Sequence, residues 1–164
     1  MSVNKERRHV LVLPEDDANR QLANGFQQKV DWTRTRQMQV LKVAGGRNKV
    51  LDLFESEHLA AMDRWHNRFM VLLIDFDGDA ETLNGAKARI PAHLTDRVFI
   101  LGALGEPEDL KRADLGSYET IGKTMAEGCY EGIDGIWGHE LLRHNASELE
   151  RLREQVCPIL FPSS

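Results

Sequence analysis

The sequence predicts an α/β fold: a mostly parallel central sheet of about four strands, with helices on both faces. Three observations predict it. Val71-Leu72-Leu73-Ile74 is an unbroken apolar run, which marks a strand buried on both faces, as strands of parallel sheets are. Short runs of this kind alternate along the chain with longer stretches of helical apolar spacing, the order that builds three-layer, Rossmann-like α/β/α proteins. Two of the runs end in acids, and in open α/β sheets ligands bind beyond the carboxyl ends of the strands.

His9-Val10-Leu11-Val12-Leu13 is predicted as the first strand, ended by Pro14. Glu15-Asp16-Asp17 follow at once, and Asp16 or Asp17 is placed to cap a helix over about residues 18–30. Leu22, Ala23, Phe26 and Val30 keep helical spacing there. Residues 38–43 form the second strand. After Gly45-Gly46-Arg47-Asn48-Lys49 a helix is expected over about 49–62. Residues 69–74 form the third strand, followed by a helical segment over 81–90 that is either broken at Asn84-Gly85 or stopped by Pro91. Residues 97–101 form the fourth strand. Gly102-Ala103-Leu104-Gly105 leaves it as a loop, and Glu106-Pro107 opens a short helix. In the tail, Ser117 caps a helix to about residue 126, residues 128–138 are glycine-rich and irregular, and residues 139–144 read as a short helix. Ser147 is expected to cap a last helix over 148–155.

The 164 residues suit one domain, with a core over about 9–111 and a helical extension over about 112–164. Hydrophobic residues make up 41% and charged residues 29%, the balance of a water-soluble globular chain. No run of 18 apolar residues occurs, so no membrane span is expected. The first apolar run is too short for a signal peptide, which points to a cytoplasmic protein. Cys129 and Cys157 are far apart in sequence and suggest neither a disulfide framework nor a zinc site. The net charge of −5 is uneven: six bases stand against Asp31 between Lys29 and Lys49, whereas acids outnumber bases 12 to 6 from Glu106 onward. The basic segment could face a phosphate backbone or simply pair with the acidic half.

The chemistry centres on Asp75, Asp77 and Asp79, which follow the third strand at alternate positions. Side chains of an extended segment alternate, so the three can face one way. Clustered carboxylates repel unless a cation sits among them, and Mg²⁺ or Mn²⁺ is the natural occupant of an all-oxygen site. The competing reading is a polar strand-to-helix turn with Asp77 or Asp79 as a helix cap. Glu15 holds the equivalent place after the first strand, so the acids converge if those two strands are neighbours. Glu106 and Glu108 leave the fourth strand as further acids, or as acids that favour a helix dipole. Gly45 and Gly46 could turn backbone N–H groups toward an anion, with Arg47, Lys49 and Lys111 as phosphate-facing cations. The Walker spacing is absent, and an ordinary tight turn explains the glycine pair equally well. His139 and His144 lie five apart rather than four, so they are not a zincin pair. Lys123 and Arg143 are further cations of the tail.

The order strand–Glu15–helix, strand–Gly45-Gly46–helix, strand–Asp75-Phe76-Asp77, strand resembles the Toprim fold of topoisomerases, bacterial primases and nucleases of the overcoming-lysogenization-defect type. The likeness covers roughly residues 9–111. It implies that Glu15, Asp75 and Asp77 bind Mg²⁺ and support phosphodiester chemistry on nucleic acid. Asp16 stands where that family usually has glycine, and Asn19 stands where its nuclease branch often has an acid. A second likeness, of Asp75-Phe76-Asp77-Gly78-Asp79 to the first motif of haloacid-dehalogenase-type phosphatases, would make Asp75 a nucleophile and Asp77 a general acid/base. That motif normally opens its domain, whereas two βα units precede it here. The expectation is a Mg²⁺-dependent phosphoryl-transfer protein. The alternative is a non-catalytic binding or assembly module, for which residues 130–137 would supply a surface toward a second copy or another protein.

Overall fold

The computed structural model describes residues 2–162. Four strands, β1 (His9–Pro14), β2 (Met38–Val40), β3 (Arg68–Leu73) and β4 (Val98–Leu101), form one sheet in the order β2-β1-β3-β4. Every pairing is parallel. The helices are α1 (Asp17–Gln28), α2 (Arg47–Leu53), α3 (Leu59–Arg64), α4 (Thr82–Lys87), α5 (Pro107–Arg112), α6 (Tyr118–Glu131), α7 (Ala146–Gln155) and α8 (Cys157–Leu160). A π-helical segment, Phe54–His58, joins α2 to α3, so residues 47–64 run on as one helical stretch. The chain is therefore an α/β protein with an all-parallel, Rossmann-like sheet.

Every residue of β1, β3 and β4 is buried, and the two-residue period divides them between two cores. Val10, Val12, Val71, Leu73 and Leu101 face α1, α6, α7 and α8. Leu11, Leu13, Met70, Leu72 and Ile100 face the 47–64 stretch and α4. From β1 the chain steps to one side through α1. From β3 it steps to the other side through α4, on the opposite face. Right-handed crossovers demand opposite faces for opposite steps. The connections leaving β1 and β3 therefore diverge and leave a crevice between the two strand ends.

Helix α1 starts where the sequence places it: the Asp16 side chain caps it by accepting from the Asn19 N–H. Helices α1 and α6 cross closely because both carry glycine at the contact. A Cβ on Gly25 would strike the Glu119 carbonyl, and one on Gly122 would strike the Leu22 carbonyl and lie 2.9 Å from the Phe26 nitrogen. The obstacle is backbone in each case and cannot swing away. Gly122→Ala is expected to cost about 1–3 kcal/mol of stability, read as a shift in the urea midpoint. An unchanged midpoint would show that the two helices can separate without loss.

The tail departs from expectation in five places. Helix α6 runs through Gly128 to Glu131 and ends on Gly132 in the left-handed conformation, φ 71°. Gly128 is no breaker: Trp137 lies against it, where a Cβ would sit 2.9 Å from the indole, and the Trp137 N–H donates to the Met125 carbonyl at 2.8 Å. Residues 139–142 form turns and Arg143–Asn145 a 3₁₀ turn, in place of the expected helix. Ser147 lies inside α7, which begins at Ala146, and α8 was not foreseen. Finally, Cys129 of α6 and Cys157 of α8 are joined as a disulfide with their Cα atoms 6.5 Å apart. Their 28-residue separation hid a proximity that helix packing creates.

The same tail closes the outer edge of β4. The Ile100 N–H donates to Glu148 Oε2 at 2.9 Å, and the Gly102 N–H donates to Asn145 Oδ1 at 3.1 Å. Side chains thus take the place of a fifth strand and protect the edge from foreign pairing. No helix among the described residues is long and apolar enough to cross a membrane.

Candidate functional site

Glu15 and Asp75 meet in the crevice because β1 and β3 are neighbours, with Pro14 opposite Leu73. The Glu15 N–H donates to the Leu73 carbonyl at 2.9 Å, continuing the ladder one residue past the strand. The next ladder donor, the Asp75 N–H, meets the Glu15 carboxylate instead, Oε2 accepting at 2.6 Å. Asp75 is 8% exposed. Its Oδ1 accepts from the Asn19 amide at 3.0 Å. Asn19, in the first turn of α1, is fully buried, and its own Oδ1 has no hydrogen-bond partner.

The electrostatics follow from this burial. Removal from water raises the Asp75 pKa to about 7; the Asn19 hydrogen bond opposes the rise, and the charges of Glu15, Asp16 and Glu108 add to it. Burial also raises the Glu15 pKa, with the Asp75 N–H pulling it back, Asp16 and Asp77 pushing it up and Arg47 lowering it. Tyr118, at the start of α6, belongs to the same field. Burial raises its phenol pKa, and Glu108, Asp16 and Asp75 contribute to the rise. Lys111 of α5 lies over the Tyr118 ring, 5.1 Å from its centroid.

The alternation expected for the three aspartates stops at the second. Phe76 is buried, its N–H donating to the Ala103 carbonyl at 3.1 Å. The backbone then turns left-handed at Asp77 and Gly78, φ 52° and 78°. Asp77 consequently stands at the exposed rim, where its Oδ2 accepts from Arg47 at 2.7 Å. Asp79 is exposed and turned away, accepting the Glu81 N–H at 2.9 Å, which is the polar-turn role weighed against metal binding. Gly45 and Gly46 pass beside Glu15 at φ 94° and 153°. The Gly45 N–H donates to the Glu15 carbonyl at 2.8 Å, so it does not point at an anion. Lys49 folds back along Gly45.

Of the sequence candidates, the fold brings Glu15 and Asp75 into contact, with Glu108 and Tyr118 in their field. Arg47 and Asp77 form a rim pair, and Asp79 lies apart. Glu106 has a local role, its N–H donating to Asp109 at 3.1 Å in the opening of α5. His139 accepts the Leu141 N–H. His144 packs edge-on against Phe76 and bonds the Gly102 carbonyl at 2.7 Å, behind the aspartate loop. Among the described residues no group of three or more His, Cys, Asp and Glu side chains is close enough to hold a metal ion. The donors present are nevertheless of the right kind for a hard divalent cation. Glu15 and Asp75 supply carboxylate oxygens whose mutual repulsion a cation would relieve, and Asn19 supplies a buried acceptor oxygen without a partner. Sequence reading missed Tyr118 entirely. It noted Asn19 only as a departure, although its place in the first turn after Glu15 was the available signal.

No known family, no curated protein and no solved structure matches the chain.

Proposed function

We propose that this chain is a divalent-metal-dependent phosphoryl-transfer protein, a stand-alone Toprim-like domain that acts on the phosphodiester of a nucleic acid. The observation that carries the reading is the meeting of Glu15 and Asp75 at the point where the strand order reverses, with Arg47 at the rim. Ligand sites of parallel sheets form at that point. Glu15 and Asp75 would hold Mg²⁺ or Mn²⁺ through carboxylate oxygens. The ion, when bound, supplies Lewis-acid polarisation of the phosphoryl oxygen and an acidified water.

The remaining roles belong to residues of the chain. Arg47 holds Asp77 in the free protein and is placed to exchange that partner for a phosphate oxygen, a bidentate match that favours arginine. Asp77, released, adds a carboxylate to the site. Lys49 and Lys111 are the neighbouring cations that complete the neutralisation of phosphate. Tyr118, in the field of three acids, is held as a neutral hydroxyl and can donate to a substrate oxygen.

Cleavage of single-stranded and duplex DNA and RNA with Mg²⁺ or Mn²⁺ tests this directly. Asp75→Ala is expected to lower the rate roughly a hundredfold or more, and EDTA to abolish it. Undiminished cleavage by the pure variant would sink the assignment. A non-catalytic reading draws on the pairing of Asp77 with Arg47 and of Glu15 with a backbone N–H. Wild-type protein that binds neither ion by calorimetry, with or without oligonucleotide, would favour that alternative.

A further inference from the structure

At the opposite pole of the sheet, the segments that enter β1 and β2 lie side by side. Arg7 and Arg8 precede β1. The 3₁₀ turn Trp32–Gln37 precedes β2 and carries Arg34 and Arg36. The Asn4 N–H bonds the Arg36 carbonyl at 2.9 Å and ties the two segments together. Between them are two adjoining depressions of about 310 and 410 Å³ that share Arg7 and Gln37. Their linings hold four arginines against a single acid, Glu6.

None of the four guanidinium groups pairs with an acid among the described residues. Arg8 leans on Phe69 and bonds Gln155, and Arg34 reaches the Ile159 carbonyl at 3.4 Å. Both are thereby held in place without an ion pair, although the charge of Asp31 reaches Arg34. On a chain of net charge −5, such a cluster concentrates positive charge locally.

Trp32 stands in this field at 83% exposure. Large aromatics are usually covered, and this one is presented on an ordered turn. Asp31 fixes the turn, its side chain accepting the Thr33 N–H at 2.9 Å. Gln37, only 4% exposed, lines both depressions and brings an amide donor and acceptor to their common wall.

We propose that this surface binds single-stranded nucleic acid, with a base stacked on Trp32 and phosphates on Arg7 and Arg36. A free indole face flanked by guanidinium groups is the combination that unpaired bases and their phosphates require. A duplex hides its base faces, and the helical segments at this surface, the 3₁₀ turn Trp32–Gln37 and the four-residue α8, are too short to read a groove. A lipid surface would need a broader apolar face than one tryptophan flanked by Asp31 and Thr33. The proposal rests on other residues than Glu15 and Asp75, and holds whether or not the acidic site is catalytic.

The test is fluorescence anisotropy with labelled oligothymidylate and oligouridylate, with EDTA present throughout so that no metal bridges the acidic site. Binding is expected to weaken with salt. Trp32→Ala should weaken it roughly five- to a hundredfold, and because Trp32 is exposed the variant keeps its fold, checked by circular dichroism. Arg7→Ala/Arg36→Ala should make the plot of log affinity against log salt shallower by about 1.4, at about 0.7 per lost phosphate contact. Oligonucleotide should also quench the Trp32 emission. No binding at low salt, binding indifferent to Trp32→Ala, or duplex bound as tightly as single strand would each overturn the proposal. So would a Trp32 blue shift on anionic vesicles without any response to oligonucleotide.

Discussion

Asp75→Asn is expected to stabilise the metal-free protein at pH 8 and to remove much of its loss of stability between pH 4 and pH 8. The carboxyl titrates at about 7 in the folded protein against 3.8 when unfolded. Below pH 4 both states hold the proton and the burial costs nothing extra. Between pH 4 and 7 the unfolded chain releases its proton while the folded one keeps it, so stability falls as pH rises. Above 7 the fall is complete. The gap of about 3 pH units sets an upper limit of about 4 kcal/mol. Asparagine keeps an oxygen for the Asn19 amide and carries no charge. Urea midpoints at pH 5 and pH 8 in EDTA measure the effect, and an equal drop in wild type and variant would assign the pH dependence to other groups. The same physics connects stability to the proposed function. Mg²⁺ should raise the wild-type midpoint at pH 8, where Asp75 is ionised, more than at pH 5, and should leave Asp75→Asn unmoved.

Glu148→Ala is expected to destabilise the protein by about 3–5 kcal/mol. Glu148 has no exposed surface. One oxygen accepts from Lys87 at 2.6 Å and Arg151 at 2.7 Å, and the other accepts the Ile100 N–H at 2.9 Å. Truncation strands two cations and a backbone donor at the edge of β4 at once. Arg151 also bonds the Thr95 carbonyl and lies over Phe99, so the rearrangement would reach the sheet. Glu148→Gln, which keeps an acceptor but not the charge, should lose less. Equal losses for the two variants would show that the charge contributes nothing. A midpoint within 1 kcal/mol of wild type for alanine would show that water replaces the carboxylate.

The strands and their order of appearance were legible because their information is local. Runs such as Val71–Ile74 are buried on both faces wherever they lie in a parallel sheet, and Asp16 caps α1 through a hydrogen bond to its own third neighbour. The tail was not legible for the opposite reason. Gly128 reads as a helix breaker in sequence, and only the presence of Trp137 explains why a glycine in mid-helix is needed. Asn145, not Ser147, stands at the start of α7, with its side chain turned to Gly102, 43 residues away. The Cys129–Cys157 bond is likewise a product of how α6 and α8 pack.

The sequence by itself determined the α/β class, a mostly parallel sheet of about four strands and the placement of Glu15 and Asp75 at strand ends, since periodicity and strand termini are properties of short segments. Tertiary structure alone decided that β1 and β3 are neighbours, and therefore that these two acids touch across the crevice. It also decided that Asp77 turns out to Arg47 and Asp79 leaves the group, because a left-handed backbone at Asp77 ends the two-residue alternation. Which carboxylates share a field, and how far burial shifts their protons, depends on distances between segments that no local pattern encodes.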